Sequence, residues 1–81
     1  MRRLRVRELA RAAERFIVAV DAAIKAIEAA PTRQPVIQGR LRRVLLRGFP
    51  YAVYYKVYPK VISVVGVIHG RRHPSVWLRR G

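Results

Sequence analysis

The chain has 81 residues, which allows one domain near the lower size limit for folding without cross-links. It contains no cysteine, so neither disulfides nor thiolate metal sites can stabilise it. Eighteen Lys and Arg oppose four Asp and Glu, which gives a formal net charge of +14. All four acids, Glu8, Glu14, Asp21 and Glu28, lie within the first 28 residues.

From Ala29 onward the chain has nine Arg, two Lys and no acid. A segment without internal counter-charge repels itself and attracts polyanions. Nucleic acid, an acidic protein segment or an anionic membrane could each supply the negative charge that this segment attracts. The plainer alternative is a basic surface that serves solubility, or a compositional bias towards arginine.

The amino terminus resembles a secretory signal only superficially. Glu8 and Glu14 lie in the region that should be basic, and Asp21 and Lys25 interrupt the apolar stretch. No apolar run is long enough to span a membrane. We therefore expect a cytoplasmic protein that does not contact a membrane.

Residues 8–30 predict one long helix, because apolar residues recur there at three- and four-residue steps. These residues are Leu9, Ala13, Phe16, Ile17, Val20, Ile24 and Ile27. Asp21 and Lys25 are spaced i,i+4 with the acid first, which adds a little helix stability. Pro31 should end the helix, because a proline disfavours helical geometry in the residue before it.

After a connection at 31–39 with two prolines and a glycine, the pattern becomes that of β-strands. The predicted strands are 40–47, 51–58 and 61–68. Gly48-Phe49-Pro50 and Pro59-Lys60 supply short turns between them, so an antiparallel meander is expected. The last two strands are apolar on both faces, and neither face of that hairpin should be fully open to water.

The fold class is therefore α+β, with one long helix packed on a three-stranded antiparallel sheet. We expect residues 1–81 to form a single domain. Its parts are a basic N-terminal segment at 1–11, the helix at 8–30, the meander at 40–68 and a basic tail at 69–81.

No standard catalytic motif is present. The glycines are isolated, so there is no phosphate-binding loop. A Ser-His-Asp arrangement would need an acid from the helix, since none follows Glu28. His69 and His73 are four residues apart, but Gly70 and Pro74 argue against the helix that would bring them together on a metal. We expect no metal and no cofactor.

Basic and aromatic residues are instead concentrated on the predicted sheet and just after it, where they could converge on one patch. The candidate binding residues are Arg42, Arg43, Arg47, Tyr54, Lys56, His69, Arg71, Arg72, His73 and Trp77, with Arg40 and Tyr55 beside them. Such a patch suits phosphate contacts with base stacking, and equally an acidic amphipathic peptide.

The alternative is that the tyrosines pack across strands in the core and the arginines form a solvated edge that blocks aggregation. The alternation of the strands favours this interpretation for the tyrosines. For Arg71 and Arg72 beside Trp77, a functional role is favoured, because packing gives no reason for such a basic pair.

Two segments carry a family resemblance. Residues 42–57 contain an Arg-Arg start followed by Phe-Pro-Tyr at the entry to a strand, and residues 64–77 end in His-Gly-Arg-Arg-His-Pro and a tryptophan. With the helix that ends at Pro31, they make residues 12–78 resemble the ParE/RelE toxin family. The resemblance implies the toxin of a type II toxin–antitoxin, or plasmid-stabilisation, pair. Such a toxin inhibits growth until an acidic antitoxin wraps it with its C-terminal segment.

The resemblance also separates two mechanisms. RelE-type members cut mRNA on the ribosome, whereas ParE-type members lack the cutting residues and inhibit DNA gyrase. The RelE-type arginine of the middle strand corresponds to Ala52, the C-terminal tyrosine corresponds to Trp77, and only Arg71 is kept. Alanine cannot stabilise a phosphorane and an indole cannot exchange protons as a phenol does, so the ParE type is expected. A ribonuclease would have to use Arg43, Lys56, His69 and Arg71.

The front of the chain departs from the family pattern. Family members begin with a strand and a first helix, and residues 1–12 are too short for both. The chain is therefore expected to be N-terminally shortened, with a bare face that a homodimer or another partner would cover. A third possible function is nucleic-acid binding without toxin activity.

Overall fold

The structure is a computed structural model and describes residues 5–71, so Arg72, His73 and Trp77 lie outside the described residues. Its elements are α1 (Val6–Ala29), β1 (Leu41–Leu45), β2 (Tyr51–Val57) and β3 (Ile62–His69). The strands form one antiparallel sheet in the order β1-β2-β3. The predicted α+β fold with one helix and a three-stranded meander is confirmed.

Helix α1 begins at Val6, two residues before the predicted start, and ends at Ala29. The N–H of Ala30 donates to the carbonyl of Ala26 at 3.1 Å, and Pro31 follows directly, as predicted. The predicted ion pair between Asp21 and Lys25 forms at 3.0 Å on the exposed side. Within residues 5–71, no helix combines the length and the apolar run that crossing a bilayer requires.

The apolar face predicted for α1 is only partly correct. Ala23 and Ile27 are buried, but Leu9 and Ile17 are 53% and 65% exposed. The reason is the placement of the helix, which packs mainly on β1 and β2. A helix of 24 residues is about 36 Å long, more than this small sheet can cover. Its N-terminal half and one flank therefore stay open.

Strand β2 is the centre of the core. Ala52, Val53, Tyr54 and Tyr55 are all 0% exposed. Because side chains alternate along a strand, Val53 and Tyr55 pack against α1, whereas Ala52 and Tyr54 lie on the opposite face. The face that carries Val53 is hereafter the helix face and the other the far face. Strand β2 thus agrees with the expectation that neither face of the hairpin is fully open to water.

Strand β3 is less well covered than β2, although neither of its faces is fully open to water. Val64, Val65 and Val67 are 47%, 41% and 37% exposed. The helix covers this strand only in part, and within residues 5–71 β3 pairs only with β2. A register shift opposite Tyr54 and Tyr55 leaves Val65 without a paired residue, which marks a β-bulge.

Candidate functional site

Arg42 and Arg43 lie on opposite faces of the sheet. Arg42 pairs with Tyr55 and Arg43 pairs with Tyr54, and neighbouring residues of a strand point in opposite directions. The expectation that the basic side chains converge on one patch is therefore wrong for this pair. Arg42 belongs to the helix face and Arg43 to the far face.

Arg42 fastens the connection between α1 and β1. Its Nη1 donates to the carbonyl of Thr32 at 3.3 Å and also to that of Gln34. The Tyr55 hydroxyl beside it donates to the carbonyl of Pro31 at 3.1 Å. Burial raises the pKa of Tyr55 above its ordinary 10.0, and the charge of Arg42 offsets only part of that rise. Both side chains thus hold the chain where it leaves the helix.

Arg43 is held at the end of the sheet where β3 finishes. Its Nη1 donates to the hydroxyl of Tyr54 at 3.3 Å and to the carbonyl of Gly70 at 3.3 Å. The Tyr54 ring is fully buried, so it positions Arg43 and offers no exposed surface for stacking on a base. The burial of Tyr54 and Tyr55 agrees with the cross-strand packing interpretation.

Lys56 shares the far face with Arg43. It pairs with Leu41 and Ser63, one row along the sheet from the row of Arg43, Tyr54 and Gly66. All four acids of the chain lie on α1, which packs on the helix face. The far face of the sheet therefore carries two cations and, within residues 5–71, no carboxylate.

His69 points to the helix face, where it pairs with Tyr51. The two rings pack edge to face with their centroids 5.4 Å apart, and the centroids of Tyr51 and Phe16 of α1 are 5.9 Å apart. The His69 Nδ1 accepts a hydrogen bond from the N–H of Arg71 at 3.1 Å. The backbone that carries Arg71 is thus fixed, whereas Arg71 itself is exposed.

Gly70 is a residue of the site that sequence reasoning missed. Its N–H donates to the carbonyl of Pro50 at 2.8 Å, and its own carbonyl accepts from Arg43. A Cβ at this position would lie 3.4 Å from the Pro50 carbonyl, so a larger residue would crowd the contact. The sequence shows a glycine directly before Arg71, but the role of that glycine depends on the strand register, which the sequence does not give.

The other two arginines lie at the ends of β1. Arg40 sits over the Tyr58 ring at 5.2 Å and donates to the carbonyl of Val57 at 3.4 Å. Arg47 is exposed and lines a groove with Glu14 and Phe49. We call Arg43 and Lys56, which share the far face, the Arg43 site. Within residues 5–71, no three His, Asp or Glu side chains are close enough to share a metal ion.

The family to which the chain belongs follows from a comparison of its sequence with known protein families. The family described as the ParE toxin of the type II toxin–antitoxin system parDE matches residues 2–74, which is most of the chain. The match includes the whole Arg43 site and ends before Trp77. No curated protein and no solved structure matches the chain. The chain therefore belongs to the ParE toxin family of type II toxin–antitoxin systems.

Proposed function

We propose that this toxin acts in the cytoplasm by binding a protein target of the DNA gyrase type, with no chemistry of its own, and that an acidic antitoxin neutralises it. The observation that carries the proposal is Ala52, which is 0% exposed in the centre of β2. It occupies the position at which the resemblance to RelE-type ribonucleases would require an arginine. A buried methyl group can neither bind a phosphate nor stabilise its developing charge.

The Arg43 site supports recognition of an acidic protein. A guanidinium has five N–H donors, and both bonds of Arg43 within residues 5–71 use Nη1. A fixed guanidinium with further donors suits a carboxylate of a partner. Lys56 on the same face adds a second cation without a neighbouring acid.

The net charge of +14 supports the antitoxin part of the proposal. A strongly basic surface raises the association rate of an acidic partner, and salt screens this attraction. The antitoxin should therefore associate more slowly as the ionic strength rises.

The test measures supercoiling by DNA gyrase and mRNA cleavage on translating ribosomes, each with the purified chain. We expect inhibition of supercoiling and intact mRNA. Arg43→Ala should raise the concentration needed for inhibition at least about tenfold, because a charge pair with the target is lost. Arg33→Ala is the matched control, since it removes the same charge from an exposed position in the connection before β1.

Two results would contradict the proposal. Cleavage of mRNA that is lost in Arg71→Ala would identify a ribonuclease with a substituted site. Tight binding to duplex DNA that strengthens as salt is lowered, without effect on either enzyme, would identify a nucleic-acid-binding protein.

A further inference from the structure

The outer edge of β3 is an exposed apolar strand edge among the described residues. The strand has eight residues, and no charged residue lies between Val61 and Ile68. An edge strand presents unpaired N–H and C=O groups to any further strand, and proteins usually block it with lysine or proline. Strand β3 contains neither, and its β-bulge at Val65 interrupts the strand at one position only. Its edge is therefore suited to pairing.

An apolar groove runs beside this edge, between β3 and the exposed flank of α1. Ile17, Val20 and Ile24 line its middle opposite Val67. It continues past Ile62 and Val64 at one end and past Leu9 at the other. We call this the β3 groove. The three hollows share lining residues, Ile24 at one junction and Phe16 and Val67 at the other, so the edge and the bare helix flank form one continuous surface.

The charges around the β3 groove differ from those of the rest of the chain. Asp21, Glu28 and Lys60 line it, and Lys25 is paired with Asp21. Two acids and two lysines cancel, whereas the whole chain carries +14. A polyanion would be drawn to the basic surfaces elsewhere. The groove matches a partner that is apolar and locally neutral.

We propose that the occupant is a second copy of this chain, joined through antiparallel pairing of β3 with the β3 of its partner. Antiparallel strands in one sheet are related by a two-fold axis perpendicular to the sheet, the symmetry of the commonest homodimers. Two three-stranded sheets then become one sheet of six strands.

The same axis places both α1 helices on one face of the joined sheet. The flanks that carry Ile17 then face each other across the two central strands. One symmetric contact thus covers three separate exposed features, which are the edge of β3, its valines and the helix flank. Because the groove of each copy is locally neutral, the high net charge opposes this contact only at long range.

The first measurement is sedimentation of the 81-residue chain over a range of protein and salt concentrations. We expect a dimer whose population rises with protein concentration. Raising salt from about 0.05 M to about 0.5 M should tighten it, because salt screens repulsion between two basic chains and leaves apolar contacts intact. A species that dissociates with added salt would contradict the proposal, since that is the behaviour of complexes with polyanions.

Two variants locate the interface. Ile17 and Val18 are neighbours with almost equal exposure, 65% and 66%, but only Ile17 lines the β3 groove. Ile17→Lys should weaken dimerisation at least about tenfold, because it puts a charge in the interface, and Val18→Lys should leave it unchanged. Circular dichroism should show that both variants keep the helix.

Hydrogen exchange tests the strand pairing itself. Backbone amides of β3 should become more protected as the protein concentration rises, and Ile17→Lys should abolish that dependence. A chain that stays monomeric up to about 0.5 mM would overturn the proposal, as would a dimer that both lysine variants weaken equally.

Discussion

Strands β2 and β3 are neighbours in the sheet and both are largely apolar, yet they differ in burial. Four consecutive residues of β2 are 0% exposed, whereas Val64, Val65 and Val67 of β3 are 37–47% exposed. Position makes the difference, because β2 is central and lies under α1, and β3 is at the edge. The hydropathy of a strand thus shows that its side chains favour burial. It does not show whether the same chain or a partner buries them.

Helix α1 shows the same contrast along its length. Ile27 is 2% exposed over β2, and Ile17, ten positions earlier on the same helix, is 65% exposed. We define the covered half as β2 with the helix around Ile27. The bare half is β3 with the helix around Ile17. The predictions below test whether these halves differ in energy as they do in burial.

The largest effect is expected for the helix pair. Ile27→Ala should lower the free energy of unfolding by about 3 kcal/mol, because it leaves a cavity against the sheet. Ile17→Ala should leave that free energy within about 0.5 kcal/mol, since an exposed side chain is replaced by a better helix former. Urea unfolding at dilute protein measures both. Equal losses would show that the bare half is packed in solution.

The strand pair should give a smaller difference in the same direction. Val53→Ala removes a fully buried side chain and should cost about 2 kcal/mol. Val65→Ala in β3 should cost less than about 1 kcal/mol at dilute protein. If dimerisation covers β3, the cost of Val65→Ala should rise with protein concentration, whereas that of Val53→Ala should stay constant.

Most of the fold could be predicted from the sequence, because periodicity and turn residues act locally. The helix and all three strands lie within two residues of their predicted bounds. The side towards which α1 leans could not be predicted, since Ile17 and Val20 are equally apolar. That choice is made by the tertiary packing of Phe16 against Phe49, whose rings meet at 5.2 Å.

The candidate site was less predictable. The sequence alone could have predicted that Arg42 and Arg43 lie on opposite faces of the sheet, because adjacent residues of a strand point in opposite directions. The hydrogen-bond partners of these two arginines could not be predicted from the sequence. They depend on where Gly70 and the carbonyls of Thr32 and Gln34 lie after folding. Composition identifies the arginines, and register decides which of them are engaged in holding the fold.

The smallest effect concerns Tyr55, which joins the covered half to the connection after α1. Tyr55→Phe removes the hydrogen bond to the Pro31 carbonyl and should cost about 1 kcal/mol near neutral pH. Tyr58→Phe is the matched control, since the Tyr58 ring is 37% exposed and the substitution keeps the ring under Arg40. Its cost at neutral pH should be close to zero.

The pH dependence sharpens this last comparison. Burial raises the pKa of Tyr55 in the folded chain above the ordinary 10.0 of the unfolded chain. Its contribution to stability is therefore complete below pH 10 and is lost as the pH rises through the folded pKa. The deficit of Tyr55→Phe should therefore shrink as the pH rises above about 10. A deficit that stays constant would mean that water reaches the Tyr55 hydroxyl, and the covered half would then be less tightly closed than its burial indicates.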